Sequence, residues 1–255
     1  MALASVVSPK ENLNYYGALL RYLSDKTGRE VRLVQRQTYA EINDLLKLGD
    51  VDMAFVCTYA YVEGQQEFGM ELLVAPVVNG KAEYRSYLIV PADSEAKRFE
   101  DLKGRTFAFT DPMSTSGRLV PMYWLTQMGQ TPRGFFSSYV FTYSHDNSIR
   151  AVANHLVDGA AVDSLVFDTM TAQDEELSKR VKILTRSQAF GAPPVVVRPG
   201  LDPHLKTLLK ETFLGLSDEP AGHDVLKGLR IDQFVAIDDR AYEGVREMAR
   251  KVGSR

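Results

Sequence analysis

The residues best equipped for chemistry in this chain are seven in a row, Asp111-Pro112-Met113-Ser114-Thr115-Ser116-Gly117. An apolar, strand-like run over 106–109 precedes them and a helical pattern over 116–128 follows. Three consecutive hydroxyl side chains therefore stand at a helix start, where the first amide N–H groups have no intrahelical acceptor and the helix dipole is positive. That combination is a seat for a compact oxyanion. The same residues also read as an ordinary N-cap, because Ser and Thr are favoured there. A cap needs only one hydroxyl, and three in succession, with Gly117 permitting close backbone approach, point to a ligand.

Other polar groups fall at the ends of apolar runs. Cys57-Thr58 follows 53–56, Ser144-His145-Asp146 follows 139–143, and Asp163-Ser164 follows 160–162. Ligands of open α/β sheets bind beyond the carboxyl ends of the strands, where connecting loops gather, so these coincidences imply one shared cleft. Ser114, His145 and Asp163 can be written as nucleophile, base and acid, but no nucleophile elbow surrounds the serine, and the chain is read as a non-enzyme. Its four histidines, His145, His155, His204 and His223, show no HExxH or other paired-ligand spacing. The single cysteine excludes an internal disulfide and a multi-cysteine cage, so neither metal nor cofactor is expected. Cys57 reads either as a small buried hydrophobe or as a cleft-facing thiol able to take a soft species such as arsenite.

The elements that must position these groups alternate. Helical stripes are expected over 13–23 (ended by Gly28), 39–48 (ended by Gly49) and 59–68, with strands over 31–34, 53–56 and 72–77. A long strand over 84–90 then opens a second series: strand 106–109, helix 116–128, strand 139–143 and helix 147–157. In that last helix Ile149, Val152, Ala153 and Leu156 share the inward face. Short strands at 160–162 and 181–184 flank another helix, and Gly191-Ala192-Pro193-Pro194 followed by 195–197 reads as the chain crossing back. Helices over 203–216 and 240–252 close the sequence. The rhythm implies an α/β fold of two lobes with mixed, mostly parallel sheets joined by two crossing strands. Lobe 1 is expected to comprise 1–85 plus 193–255, and lobe 2, carrying the oxyanion seat, 86–192.

At 255 residues the chain is long enough for two lobes, each with its own core. A formal net charge of −3, with basic residues spread along the chain, supplies no field for nucleic acid. No apolar run approaches the roughly 20 residues needed to span a bilayer, and the first nine residues lack the pattern of an export signal. The chain is therefore expected either in the cytosol or outside it with its signal removed.

The segments Asp-Pro-Met-Ser-Thr-Ser-Gly-Arg-Leu-Val-Pro at 111–121, Ser-His-Asp-Asn-Ser-Ile-Arg-Ala-Val-Ala at 144–153 and Gly-Asp-Val-Asp-Met-Ala-Phe-Val at 49–56 carry a resemblance. Together they resemble the phosphonate, phosphite and phosphate substrate-binding proteins of ABC transporters, in order from Tyr15 to about Arg198. The first segment is fairly specific, whereas the third recurs across type II periplasmic binding proteins. The resemblance implies two α/β lobes closing over a ligand, a periplasmic or extracytoplasmic location, a membrane permease as partner and a monomer. It further implies that Ser114, Thr115 and Ser116 hold a tetrahedral anion, that His145 donates from the same lobe, and that Tyr39 and Tyr84 close from the other. Such a donor-only set suits an oxyanion.

Relatives that take aminoalkylphosphonates are expected to meet the ammonium with carboxylates where this chain has Leu165 and Ala192. 2-Aminoethylphosphonate is accordingly expected to be a poor ligand. Asp163 reads either as a helix cap or as an acceptor for a singly protonated oxyanion. The alternative to transport is a sensor component partnered by a kinase and using the same pocket, for this or another oxyanion such as arsenite.

Overall fold

The computed structural model describes residues 1–4 and 9–253, the side chains of 9–15 excepted. Leu13, first residue of the expected stripe over 13–23, lies outside the described side chains. By its contacts the chain divides into two units, one comprising 1–4, 9–83 and 191–243, the other 84–190 and 244–253. In chain order the strands among the described residues are β1 Ala2–Leu3, β2 Val34–Gln35, β3 Met53–Phe55, β4 Glu71–Val77, β5 Glu83–Tyr84, β6 Ser86–Pro91, β7 Thr106–Phe109, β8 Ser138–Phe141, β9 Gly159–Asp163, β10 Val181–Arg186, β11 Phe190–Gly191, β12 Val195–Val197 and β13 Gln233–Val235.

The first unit holds a six-stranded sheet ordered β13-β4-β12-β3-β1-β2. β1 runs parallel to β2 and β3, while β12 pairs antiparallel with β3 and β4. Its core joins Val74, Val195 and Val197 of the sheet to Leu19 and Leu23 of the helix Pro9–Thr27, Phe213 of the helix Pro203–Leu214, and Phe234. Phe213 and Phe234 pack edge to face with ring centroids 4.9 Å apart.

The second unit holds a five-stranded sheet ordered β10-β6-β9-β7-β8, with helices on both faces. Period-2 alternation sends Ile89, Ala160 and Val162 toward Ile149, Val152 and Phe167. Leu88, Val90 and Ala161 go the other way, into an aromatic layer of Phe99, Phe107, Phe109, Phe135 and Phe136. Strands clothed on both faces are apolar throughout, which explains why β6 and β9 read as continuous apolar runs.

Several expected elements change. The strand expected over 84–90 is two, β5 and β6, interrupted at Arg85; β5 pairs with β11 in a two-stranded ribbon. The helix expected over 147–157 is His145–Ala153, and Leu156, counted as inward, is 72 % exposed. The reason is a Schellman stop: His155 takes the left-handed position at φ 54°. Its N–H bonds Val152 O at 3.0 Å and that of Leu156 bonds Ala151 O at 2.9 Å. The helix Pro132–Phe135 and the strands β1 and β13 are too short to be read in advance, whereas the ten-residue amphipathic helix Pro220–Leu229 is missing from the sequence reading although Val225 and Leu226 mark its buried face. The C-terminal helix Glu243–Gly253, which the sequence reading gave to lobe 1, falls from Gly244 onward with the second unit, where Lys251 Nζ lies 5.7 Å from the Tyr123 ring centroid.

Candidate functional site

In the second unit β7 runs parallel to both β8 and β9, so their carboxyl ends lie at one edge of the sheet. Thr110-Asp111 leaves β7 there, Thr142 to His145 leave β8, and Asp163 ends β9. The sequence thus places its polar loops where a doubly covered sheet exposes backbone ends.

The Ser114 turn is built tightly. Ser114 is the N-cap of the following helix, its Oγ accepting the Gly117 N–H at 2.9 Å. The helix opens with a π-turn, Thr115–Leu119, in which the Leu119 N–H reaches Ser114 O at 2.9 Å, and continues as Val120–Gln127. Such turns cluster at functional sites. Ser114, Thr115 and Ser116 are all buried. Gly117, read from sequence as permitting close approach by a ligand, is needed by the protein itself: a Cβ there would sit 2.3 Å from Thr110 Oγ1 and 2.5 Å from Thr110 Cβ. Ser86 on β6, opposite Asp163 in register, ties the turn to the sheet by donating from Oγ to Ser116 O at 2.7 Å.

His145 begins the helix His145–Ala153 and is buried. Its Nδ1 lies 3.1 Å from the Asp163 backbone N and 3.2 Å from Thr110 Oγ1. A backbone amide can only donate, so Nδ1 accepts, and the ring proton resides on Nε2. Burial pushes this imidazole down to about 3, which keeps it neutral at pH 7. Thr110 Oγ1 continues to Ser148 Oγ at 3.4 Å, and Ser148 to Thr142 Oγ1 at 2.6 Å, a hydroxyl chain that supports the ring from behind. Just before the helix, Tyr143 takes a left-handed φ of 59°, unusual for a bulky residue, with its N–H bonded to Thr110 O at 2.7 Å.

Asp163 is buried at the end of β9 and caps the helix Ser164–Gln173. Its Oδ1 accepts the Leu165 N–H at 2.7 Å and the Val166 N–H at 3.4 Å; Oδ2 accepts no hydrogen bond among the described residues. Burial pushes this carboxyl up to about 7, the two amides offsetting part of the shift and the Asp168 charge adding to it.

Two hydroxyls stand out. Ser116 Oγ and Ser144 Oγ are buried without a hydrogen-bond partner among the described residues. Ser144 occupies the N-cap position of the His145–Ala153 helix, yet its side chain does not cap. An unsatisfied buried hydroxyl costs about 1–3 kcal/mol, so two at adjoining helix starts mark a place built for something else. Together with the Nε2–H of His145 and the first-turn amides, they form a set of neutral donors at an edge that also carries three buried acids, Asp111, Asp146 and Asp163. This suits a compact oxyanion, and Ser114, His145 and Asp163 are not joined as a triad: Ser114 Oγ is engaged with Gly117, and His145 Nδ1 meets the amide of Asp163, not its carboxyl. Among the described residues no group of three His, Cys, Asp or Glu side chains could hold a metal ion.

The remaining sequence-derived residues lie elsewhere. In the first unit, Tyr39 begins the helix Tyr39–Leu48 behind a Thr38–Glu41 capping box, and Thr58 begins the helix Thr58–Phe68 with Cys57 at its N-cap. All three are buried, and they follow β2 and β3, whose carboxyl ends share an edge because both run parallel to β1. Tyr84, implied to act from the lobe opposite the Ser114 turn, falls by its contacts in the same unit as that turn, with its ring 6.2 Å from Phe190. Sequence reasoning named Ser144 among the polar groups at strand ends without giving it a ligand role, and did not single out Ser86, Thr110 or Ser148.

The sequence profile described as "ABC transporter, phosphonate, periplasmic substrate-binding protein" matches residues 1–242. The phosphate-import protein PhnD of Mycolicibacterium smegmatis is 30 % identical over 259 residues, covering 94 % of this chain and 81 % of that one. A binding-protein component of an ABC phosphonate transporter from Pseudomonas aeruginosa superposes with a TM-score of 0.92 at 26 % identity, covering 99 % of this chain and 85 % of that one. PhnD1 of Prochlorococcus marinus, solved with methylphosphonate, has a TM-score of 0.90 at 18 % identity, covering 100 % of this chain and 97 % of that one. The fold is that of the type II periplasmic binding proteins. On these grounds the chain belongs to the family of periplasmic substrate-binding proteins of ABC phosphonate transporters.

Proposed function

We propose that this chain captures a small tetrahedral phosphorus oxyanion, a phosphonate, phosphite or phosphate, outside the cytoplasm and presents it to an ABC permease without transforming it. The observation that carries this reading is the pair of buried, unpartnered hydroxyls, Ser116 Oγ and Ser144 Oγ, at two helix N-termini beside a neutral His145. Neutral donors and helix dipoles stabilise an anion without the desolvation cost of a buried lysine or arginine, and they release it without breaking an ion pair. The ligands named for relatives point to the same chemistry: phosphate for the mycobacterial protein and methylphosphonate for the Prochlorococcus one. No helix among the described residues is long and apolar enough to cross a membrane, in keeping with a partner that supplies the membrane passage.

Isothermal titration with methylphosphonate, phosphite and inorganic phosphate tests the proposal. At least one should bind in a single-site isotherm that Ser116→Ala weakens. Absence of heat with all three, on folded protein stripped of ligand by partial unfolding and refolding, would end it.

A further inference from the structure

We propose that Thr110, which lies behind the His145 ring on its Nδ1 side, is the positioning residue of the oxyanion seat: its hydroxyl donates to Nδ1 and so aims the Nε2–H of His145 at the ligand. The inference rests on the oxyanion reading above and adds to it a residue that acts through another.

Thr110 is fully buried, and its main chain joins the two segments that carry the donors. Its N–H bonds Gly117 O at 3.2 Å in the Ser114 turn, and its carbonyl accepts the Tyr143 N–H at 2.7 Å, just ahead of His145. Its side chain is wedged between the same two places. Oγ1 stands 3.2 Å from His145 Nδ1, and the point where Gly117 would carry a Cβ is 2.3 Å from that oxygen and 2.5 Å from Thr110 Cβ. The turn therefore fixes the Thr110 side chain, and Thr110 passes that position on to the ring.

The direction of the hydrogen bond follows from where protons can be. The Asp163 amide, 3.1 Å away, already makes Nδ1 an acceptor, so a proton between Oγ1 and Nδ1 comes from the threonine. Ser148 Oγ and Ala161 O, each at 3.4 Å, compete for that proton from farther away. Giving it to either would leave an oxygen and a nitrogen lone pair facing each other across the shortest of the three contacts. The amide decides which ring nitrogen carries the proton, and the hydroxyl, converging on Nδ1 from a second element, holds the ring plane. A ring turned over would present a C–H to both donors. The Nε2–H is thus left with one direction, away from Thr110 and toward the donor set of Ser116 and Ser144.

The test uses the whole chain, with methylphosphonate, phosphite and inorganic phosphate as probe ligands. Native protein is compared with Thr110→Val, which keeps the shape and loses the hydroxyl, and with Thr110→Ser, which keeps the hydroxyl. Calorimetry should show Thr110→Val binding the tightest probe about tenfold more weakly and Thr110→Ser within about threefold of native, as expected for one hydrogen bond. On a His145→Ala background the Thr110→Val effect should shrink below about twofold, because the residue acts through the imidazole. Without ligand, the nitrogen NMR resonance of His145 Nδ1, identified by its loss in His145→Ala, should move in Thr110→Val toward that of a ring nitrogen accepting fewer hydrogen bonds, and stay near native in Thr110→Ser. A purely structural role would lower the melting temperature and leave that resonance in place. An unmoved Nδ1 resonance in folded Thr110→Val overturns the proposal, and so does an undiminished Thr110→Val effect in the absence of the imidazole. If Thr110→Val does not fold, Thr110→Ala, which removes the hydroxyl without a second methyl against Gly117, reads the same quantities. Failure of every probe to bind the native chain sinks the oxyanion reading itself, while the Nδ1 resonance of the ligand-free protein still decides whether Thr110 holds the ring.

Discussion

His145 and Asp163 should impose opposite pH dependences on the stability of the second unit, and their separation is a sharp test of the site geometry. The folded His145 stays neutral down to about 3, whereas in the unfolded chain it takes a proton below its ordinary 6.5. Its contribution is complete above 6.5 and fades as pH falls toward 3. Asp163 runs the other way: folded, it keeps its proton up to about 7, against 3.8 unfolded. Its contribution is complete below 3.8 and fades as pH rises through 7.

Between these ordinary values, unfolding takes up one proton at His145 and releases one at Asp163. Each slope is limited to about 1.4 kcal/mol per pH unit, so the two nearly cancel in the native chain. His145→Asn, which leaves an oxygen near the Nδ1 position for the Asp163 amide, unmasks Asp163. Relative to native, the variant should gain stability on acidification, by about 3 kcal/mol over the window. Asp163→Asn should lose a similar amount, and the double variant should track the native profile. Both side chains are fully buried, so solvent screening takes little from these figures. The assay is urea unfolding without ligand at pH steps from 6.5 to 4, read by fluorescence of Trp124, the single tryptophan, which lies in the second unit against Phe99 at 5.2 Å. All other carboxylates cancel in the difference from native. Parallel profiles for native and His145→Asn would refute both the neutral, amide-bonded imidazole and the logic built on it.

Three other outcomes are expected. Ser116→Ala and Ser144→Ala should each weaken oxyanion binding by about 1–3 kcal/mol while leaving the ligand-free melting temperature unchanged or higher, since each removes a buried hydroxyl with no protein partner; calorimetry and thermal melts together check the split. Gly117→Ala should destabilise the chain by about 1–3 kcal/mol from overpacking against Thr110, despite alanine's better helix propensity. In Thr110→Gly the same substitution should cost measurably less in urea titrations. 2-Aminoethylphosphonate should bind several kcal/mol more weakly than methylphosphonate if no acid meets its ammonium, since Leu165 stands where relatives are expected to place a carboxylate; competition calorimetry reads this directly.

Elements specified by neighbours in the chain were the legible ones. The helix Tyr39–Leu48 coincides with its expected bounds because both ends are written locally, in the Thr38–Glu41 capping box and in Gly49 at φ 79°. The strands Thr106–Phe109 and Val195–Val197 likewise carry their apolar runs between clear turn residues. What misled was also local in kind. Leu156 continued a perfect helical stripe, and nothing in the stripe said that His155 would turn left-handed. Arg85 interrupts a strand only because the chain there exchanges one set of partners for another. Ser114 to Ser116, His145 and Asp163 were visible as polar groups at strand ends, but Ser86, next to Arg85, and Thr110, between an apolar run and Asp111, are single hydroxyls that carry no periodic signal.

By itself, then, the order of residues determined the alternation of strands and helices, the hydroxyl-rich turn and the family to which such a turn belongs, because propensity, capping and motif are properties of short segments. Tertiary structure alone decided which hydroxyls are spent on the protein and which are left over. Ser114 is consumed by Gly117, while Ser116 and Ser144 remain unpartnered among the described residues. It also decided the protonation of His145 and Asp163, because desolvation is set by atoms brought from β6, β7, β8 and β9, distant in sequence and adjacent only once the sheet has formed.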